Sequence, residues 1–136
     1  MSKMVEKEKM QACRIIIHTT VDGRETQTIR EGKMSFTKLS AILVYREENA
    51  EVSVIFENGA TKIERRGDYA LSLILKSEET TQGSIGLGNS QGEIQTYAYK
   101  VAYSIGKDSV LAVLHYDLII GKERQKMKLR LHGKLQ

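Results

Sequence analysis

The side chains best placed to do chemistry in this sequence lie in one stretch, where Tyr97, Tyr99, Val101, Tyr103 and Ile105 occupy alternate positions. Alternation of this kind sets side chains on one face of a β-strand. Three phenols on one face can line a cavity and offer hydroxyl donors above an apolar floor. More commonly such tyrosines pack a wall and send their hydroxyls to water or to a partner at a rim. The next apolar run adds Tyr116 and, on the opposite face, His115 and Asp117. If that second face points inward, the Asp117 carboxylate must be paired, and Arg46, Arg65 and Arg66 are the candidates. Tyr97, Tyr99, Tyr103, Tyr116, Arg65 and Asp117 therefore make up the expected ligand-binding set, suited to a small, largely apolar molecule.

Other chemistries have weaker footing. His18, His115 and His132 are far apart and have no Cys or His partner at ligand spacing, whereas a metal site needs converging ligands. Cys13 has no base beside it and the chain carries no Gly-x-Ser-x-Gly elbow, so nucleophilic catalysis is not expected. Gly83, Gly86, Gly88 and Gly92 suggest a phosphate cradle, but no Gly-Lys-Ser/Thr ends the run and no helix is expected after it. A loop or bulge is the simpler reading. No catalytic residue, metal or cofactor is expected, and the chain is not expected to be an enzyme.

Lys126, Lys128 and Arg130 alternate with Met127, Leu129 and Leu131, which sets a basic face against an apolar one. If each of those cations met one phosphate, the salt dependence would have a slope of roughly −3. No aromatic platform for bases accompanies them, so a solvated outer face is expected. An interface for a protein or RNA on this face is the alternative function.

These residues sit on a succession of strands. Cys13 to Thr20 alternates, and Asp22-Gly23 supplies the two positive-φ residues of a type I′ turn. Arg24 to Glu31 returns with Thr and charged residues suited to a wet face or an edge, Gly32 punctuates, and Lys33 to Leu39 and Ala41 to Tyr45 follow. Val52, Val54 and Phe56 lead into Asn58-Gly59, the strongest hairpin signal a sequence offers, and Thr61 to Arg66 leads out. Tyr69 to Leu75 comes next, then the glycine-rich 77–92, read as a short weak strand between loops or as a flap. Glu93 to Ile105, Ser109 to Ile120 and Arg124 to His132 complete the series. Turn signals at short intervals predict an all-β, mostly up-and-down antiparallel barrel of roughly eight to ten strands. Its wall is least specified at Gly83–Gly88.

At 136 residues, 40% hydrophobic and 28% charged, the chain has the size and composition of one globular domain. Residues 1–11 are expected to be a frayed N-terminal segment. A lone cysteine suits a reducing compartment. No run approaches the roughly 20 apolar residues of a membrane helix, so a cytoplasmic protein without a membrane partner is expected. The net charge of +4 allows weak attraction to phosphate-rich surfaces without requiring it. An edge strand would offer a route to a homodimer.

Several local strings resemble the YwiB-like family, small bacterial proteins of unknown function. They are Thr19-Thr20-Val21-Asp22-Gly23, Tyr45-Arg46-Glu47-Glu48, Ile63-Glu64-Arg65-Arg66-Gly67, Thr80-Thr81, and His115-Tyr116-Asp117-Leu118 before Gly121. The resemblance spans most of the chain and implies a calycin-like (lipocalin-like) barrel. It implies no reaction and no ligand. The Gly-x-Trp signature of true lipocalins is missing, because the chain has no tryptophan.

Overall fold

The computed structural model describes residues 10–136. The expected frayed segment lies almost wholly outside them, and Gln11 already opens the first strand. Ten antiparallel strands follow in meander order: β1 (Gln11–Val21), β2 (Arg24–Phe36), β3 (Ala41–Glu47), β4 (Ala50–Glu57), β5 (Ala60–Gly67), β6 (Ala70–Lys76), β7 (Thr80–Leu87), β8 (Ser90–Ile105), β9 (Ser109–Ile120) and β10 (Glu123–Leu135). Each pairs with its neighbours in sequence, and β10 returns to β1, so the barrel is closed. Closure removes most of the strand edges that an open sheet would expose. Among the described residues no helix is long and apolar enough to cross a membrane.

The two-residue turns follow from their residues. Asp22 and Gly23, at φ 48° and 86°, and Asn58 and Gly59, at φ 53° and 75°, both place two successive residues in the left-handed region. Asn, Asp and Gly tolerate that region best. The structure differs from expectation at Gly32, through which β2 runs unbroken. A Cβ there would lie 2.4 Å from the Val44 carbonyl oxygen and 3.2 Å from the Tyr45 Cβ, so this glycine is a point of close approach where β2 closes onto β3.

The glycine-rich stretch is a full strand of the wall. β7 pairs with β8 along its whole length but with β6 at only three positions, Ala70–Gly86, Leu71–Ile85 and Ser72–Ser84. Gly83 fits because any side chain would strike the Ser72 carbonyl oxygen, 2.3 Å from its would-be Cβ. Beyond that point side chains replace the ladder. The Thr81 hydroxyl donates to the Ile74 carbonyl and shares a 2.6 Å hydrogen bond with the Thr96 hydroxyl, which also donates to Ile74 at 3.2 Å.

The two ends of the barrel differ. Toward the end carrying turns 37–40, 58–59, 77–79 and 106–108, Phe56, Met34, Leu43, Leu75, Val54 and Val110 are at most 1% exposed, with Phe36, Ile105 and Leu135 half-covered at the rim. Tyr103 plugs this end, its ring 5.3 Å from that of Phe56 and its hydroxyl accepting from the Gly59 N–H at 2.9 Å. At the other end the strands are unequal in reach. β2 pairs with β3 only over 32–36, so Arg24–Glu31 is laddered on one side alone, to β1. Here Leu71, Ile85, Leu118, Met127 and Leu129 pack against the core with only part of their surface covered. Leu87 is 66% and Ile120 46% exposed. We call these the closed end and the open end.

Candidate functional site

The phenol stripe is split by a β-bulge. The register of β8 against β9 shifts between Ala98 and Lys100, and one extra residue reverses every side chain beyond it. Ile94, Thr96 and Ala98 point inward before the bulge and are at most 1% exposed. After it the inward positions are Val101, Tyr103 and Ile105. Tyr97 and Tyr99 therefore stand on the outer wall, their rings edge to face at 5.0 Å, while Tyr103 is the interior plug of the closed end.

Asp117 is on the outer wall too, yet only 2% exposed. It is paired, though with none of Arg46, Arg65 and Arg66. Those arginines lie on β3 and β5, across the barrel from β9. Its partners come from adjoining strands: the Tyr99 hydroxyl donates to Oδ2 at 2.6 Å and Arg124 Nε lies 3.1 Å from the same oxygen. Accepting from Tyr99 makes that phenol harder to ionise, and burial adds to the effect. The cluster satisfies itself and spends one cation of the basic face.

Arg65 organises a corner of the open end. It points inward from β5, opposite Val52, and its Nη1 donates to Asp68 Oδ1 at 2.7 Å and to the Tyr69 carbonyl at 2.8 Å. Its Nε reaches Glu47 Oε2 at 3.5 Å, and the guanidinium lies 3.7 Å from the Tyr69 ring centroid. Burial works against its charge, but Asp68, Tyr69 and Glu47 outweigh it and the guanidinium pKa rises. The Arg65 hydrogen bond in turn holds the Asp68 carboxyl below its usual range. Two carboxylates already neutralise this arginine.

A third group was not visible in the sequence as a site. Arg30 belongs to a run expected to be wet, but it pairs with the fully buried Ile15 and so shares its inward face. Its Nε is buried and has no hydrogen-bond partner among the described residues. Tyr45 and Tyr116, 6% and 5% exposed, face the same interior. Burial raises the Tyr45 pKa, with Glu47 adding to the rise, the Arg30 charge opposing it and Tyr116 adding a little; Tyr45 pairs with Gly32, two residues from Arg30 on the same face of β2. Burial alone lifts the Tyr116 phenol to about 12. Neither phenol oxygen has a hydrogen-bond partner among the described residues. Both remain protonated donors at neutral pH.

On the outside, closure of β1 onto β10 brings together residues far apart in sequence. His18 pairs with Arg130 and His115 with Lys128, and these four line a groove of about 280 Å³ with Thr20 and Glu25. Burial, then the Lys128 and Lys100 charges, lower the His115 pKa. His132 lies in a separate groove with Arg14 and Lys134. Among the described residues no three His, Cys, Asp or Glu side chains converge as metal ligands would.

Comparison with known proteins bears on the same geometry. The family model described as "Domain of unknown function (DUF1934)" matches residues 12–131. The chain belongs to this family. No curated protein matches. Among solved structures the barrel is similar to the ywiB protein from Bacillus subtilis, with a TM-score of 0.82 at 11% identity, covering 96% of this chain and 97% of that one. At that identity the likeness speaks for the fold, and the family expected from the sequence is the one found. The matched span includes Arg30, Tyr45 and Tyr116, so all three donors lie within the family domain.

Proposed function

We propose that this member of the family is a non-catalytic binding barrel that takes a small, largely apolar molecule at its open end. The observation that carries the reading is the half-covered apolar lining there, Leu71, Ile85, Leu118, Met127 and Leu129, at an end without the plug that Tyr103, packed on Phe56 and bonded to the Gly59 N–H, provides at the other, where Phe36, Ile105 and Leu135 are half-covered as well. Barrels of about eight strands are just wide enough to be filled by side chains or to hold one small ligand. This one is plugged by Tyr103 at one end, which leaves the other for a ligand. The calycin-like barrel that the sequence resemblance implies agrees with this reading, but shape alone does not assign function. A reducing cytoplasm suits the single thiol, Cys13, which is fully buried and pushed up to about 11 by burial and then by Glu31.

The test is titration with the neutral fluorophore N-phenyl-1-naphthylamine, displaced by 1-decanol. The reading expects saturable fluorescence at one site per chain, abolished by Leu118→Lys. No enhancement, or enhancement unchanged in Leu118→Lys, would remove it. A second reading rests on the groove that gathers His18, His115, Lys128 and Arg130 on the outer wall, a surface for an acidic protein or RNA. Filter binding with mixed RNA decides it: retention at low salt that fades with a slope of roughly −3 supports it, and no retention at low salt ends it.

A further inference from the structure

We infer that the molecule held at the open end carries one carboxylate, bound by the Arg30 guanidinium together with the Tyr45 and Tyr116 hydroxyls; this rests on the open-end reading above. The argument starts from unmet donors. A buried guanidinium N–H without an acceptor is costly, and native proteins leave few such groups. Arg30 Nε is one, and two inward phenols, Tyr45 next to it by register and Tyr116 on the same interior, add O–H donors without acceptors among the described residues. Donors that face one interior, with no acceptor among the described residues, define the complement: an anion with several lone pairs.

Charge selects the anion. Arg65 is already held by Glu47 and Asp68, whereas Arg30 makes no ion pair among the described residues. A monoanion matches it. A dianion would bring surplus negative charge close to Glu47, which already acts electrostatically on Tyr45. The apolar side chains that face the same interior, Leu118 and Met127 beside Tyr116 and Leu71 beside Arg65, would cover the body of the acid. The ligand class is an aliphatic or aromatic carboxylic acid, head inward and body toward the rim.

Calorimetric titration of the intact chain with decanoate, 1-decanol and decyl phosphate at pH 7.5 tests this. Decanoate should bind about tenfold or more tightly than 1-decanol, since a charge-assisted hydrogen bond is worth roughly twice a neutral one. It should also bind more tightly than decyl phosphate. Arg30→Leu should erase the preference for decanoate while 1-decanol binding persists, which also shows that the variant is folded. Tyr45→Phe and Tyr116→Phe should each weaken decanoate several-fold and leave 1-decanol unchanged. Equal binding of decanoate and 1-decanol to the wild-type chain would overturn the carboxylate and leave the open-end reading standing. Tighter binding of decyl phosphate, or a preference that survives Arg30→Leu, would also overturn it. If none of the three bound, both readings would fail together.

Discussion

The closed and open ends are built from the same ten strands and the same kinds of apolar residue, yet one is plugged by an aromatic side chain and the other is not. At the closed end Phe56, Leu75 and Val110 lose all contact with water and Tyr103 seals the turn above them. At the open end the corresponding positions on the same strands, Leu71 on β6 and Leu118 on β9, keep part of their surface exposed. Between the two sit the Arg30 Nε and two phenols without a hydrogen-bond partner among the described residues. Stability is concentrated where packing is complete. The proposed binding falls where it is not, as expected if sites are maintained at some cost to the fold.

The largest expected effect separates two leucines on one strand. Leu75→Ala should destabilise the chain by about 3 kcal/mol, because it empties a fully enclosed site, whereas Leu71→Ala should cost about 1 kcal/mol at a site water already reaches. Urea unfolding of both variants measures the difference, and equal losses would break the contrast. Next in size are two unmet donors, one at each end. Thr61, fully buried on β5, has a hydroxyl without a partner among the described residues, as Arg30 has its Nε. Thr61→Val and Arg30→Leu should each raise stability, by about 1 kcal/mol. Only Arg30→Leu should also change decanoate binding, because Thr61 is sealed among Phe56 and Leu75. Loss of stability in Arg30→Leu would show that its charge is already compensated.

Smaller effects sharpen the same picture. Cys13, buried within the core cluster and with its pKa raised to about 11, should resist a thiol reagent at pH 8 and react at the rate of global unfolding. Rapid labelling of the native chain would mean that this part of the core opens locally. On the outer wall, burial and two lysines hold the His115 pKa below its ordinary value of 6.5. The unfolded chain then binds the proton more readily, so His115 contributes full stability above about pH 6.5 and loses it as pH falls from there through the folded pKa. His115→Gln should flatten that small slope in denaturant melts between pH 7 and pH 5.

Local chemistry made much of the fold readable. Asn58-Gly59 and Asp22-Gly23 specify their turns without help from the rest of the chain, and the alternation of Met127, Leu129 and Leu131 with Lys126, Lys128 and Arg130 names the inner and outer faces of β10 correctly. The site was less readable, because its parts depend on pairing. A bulge at Tyr99 leaves no mark in residue type, so the tyrosines of β8 read as one face when they occupy two. Arg30 looks like any solvated residue in a threonine-rich strand until pairing with Ile15 turns it inward. His18 and His115 lie 97 positions apart in sequence and meet in one groove only because β10 runs between them. Tyr116 and Arg65 were readable as candidate site residues, but which of them has free donors depends on Glu47 and Asp68, supplied by neighbouring strands and turns.

Two methionines provide the most direct check on the central contrast. Met34 is fully buried in the closed half and Met127 is half-covered at the open end, opposite Tyr116. With methyl-13C methionine, titration with decanoate should shift the Met127 resonance progressively to saturation and leave Met34 in place. Movement of Met34 with Met127 unchanged, or no movement of either at saturating decanoate, would contradict the assignment of binding to the open end.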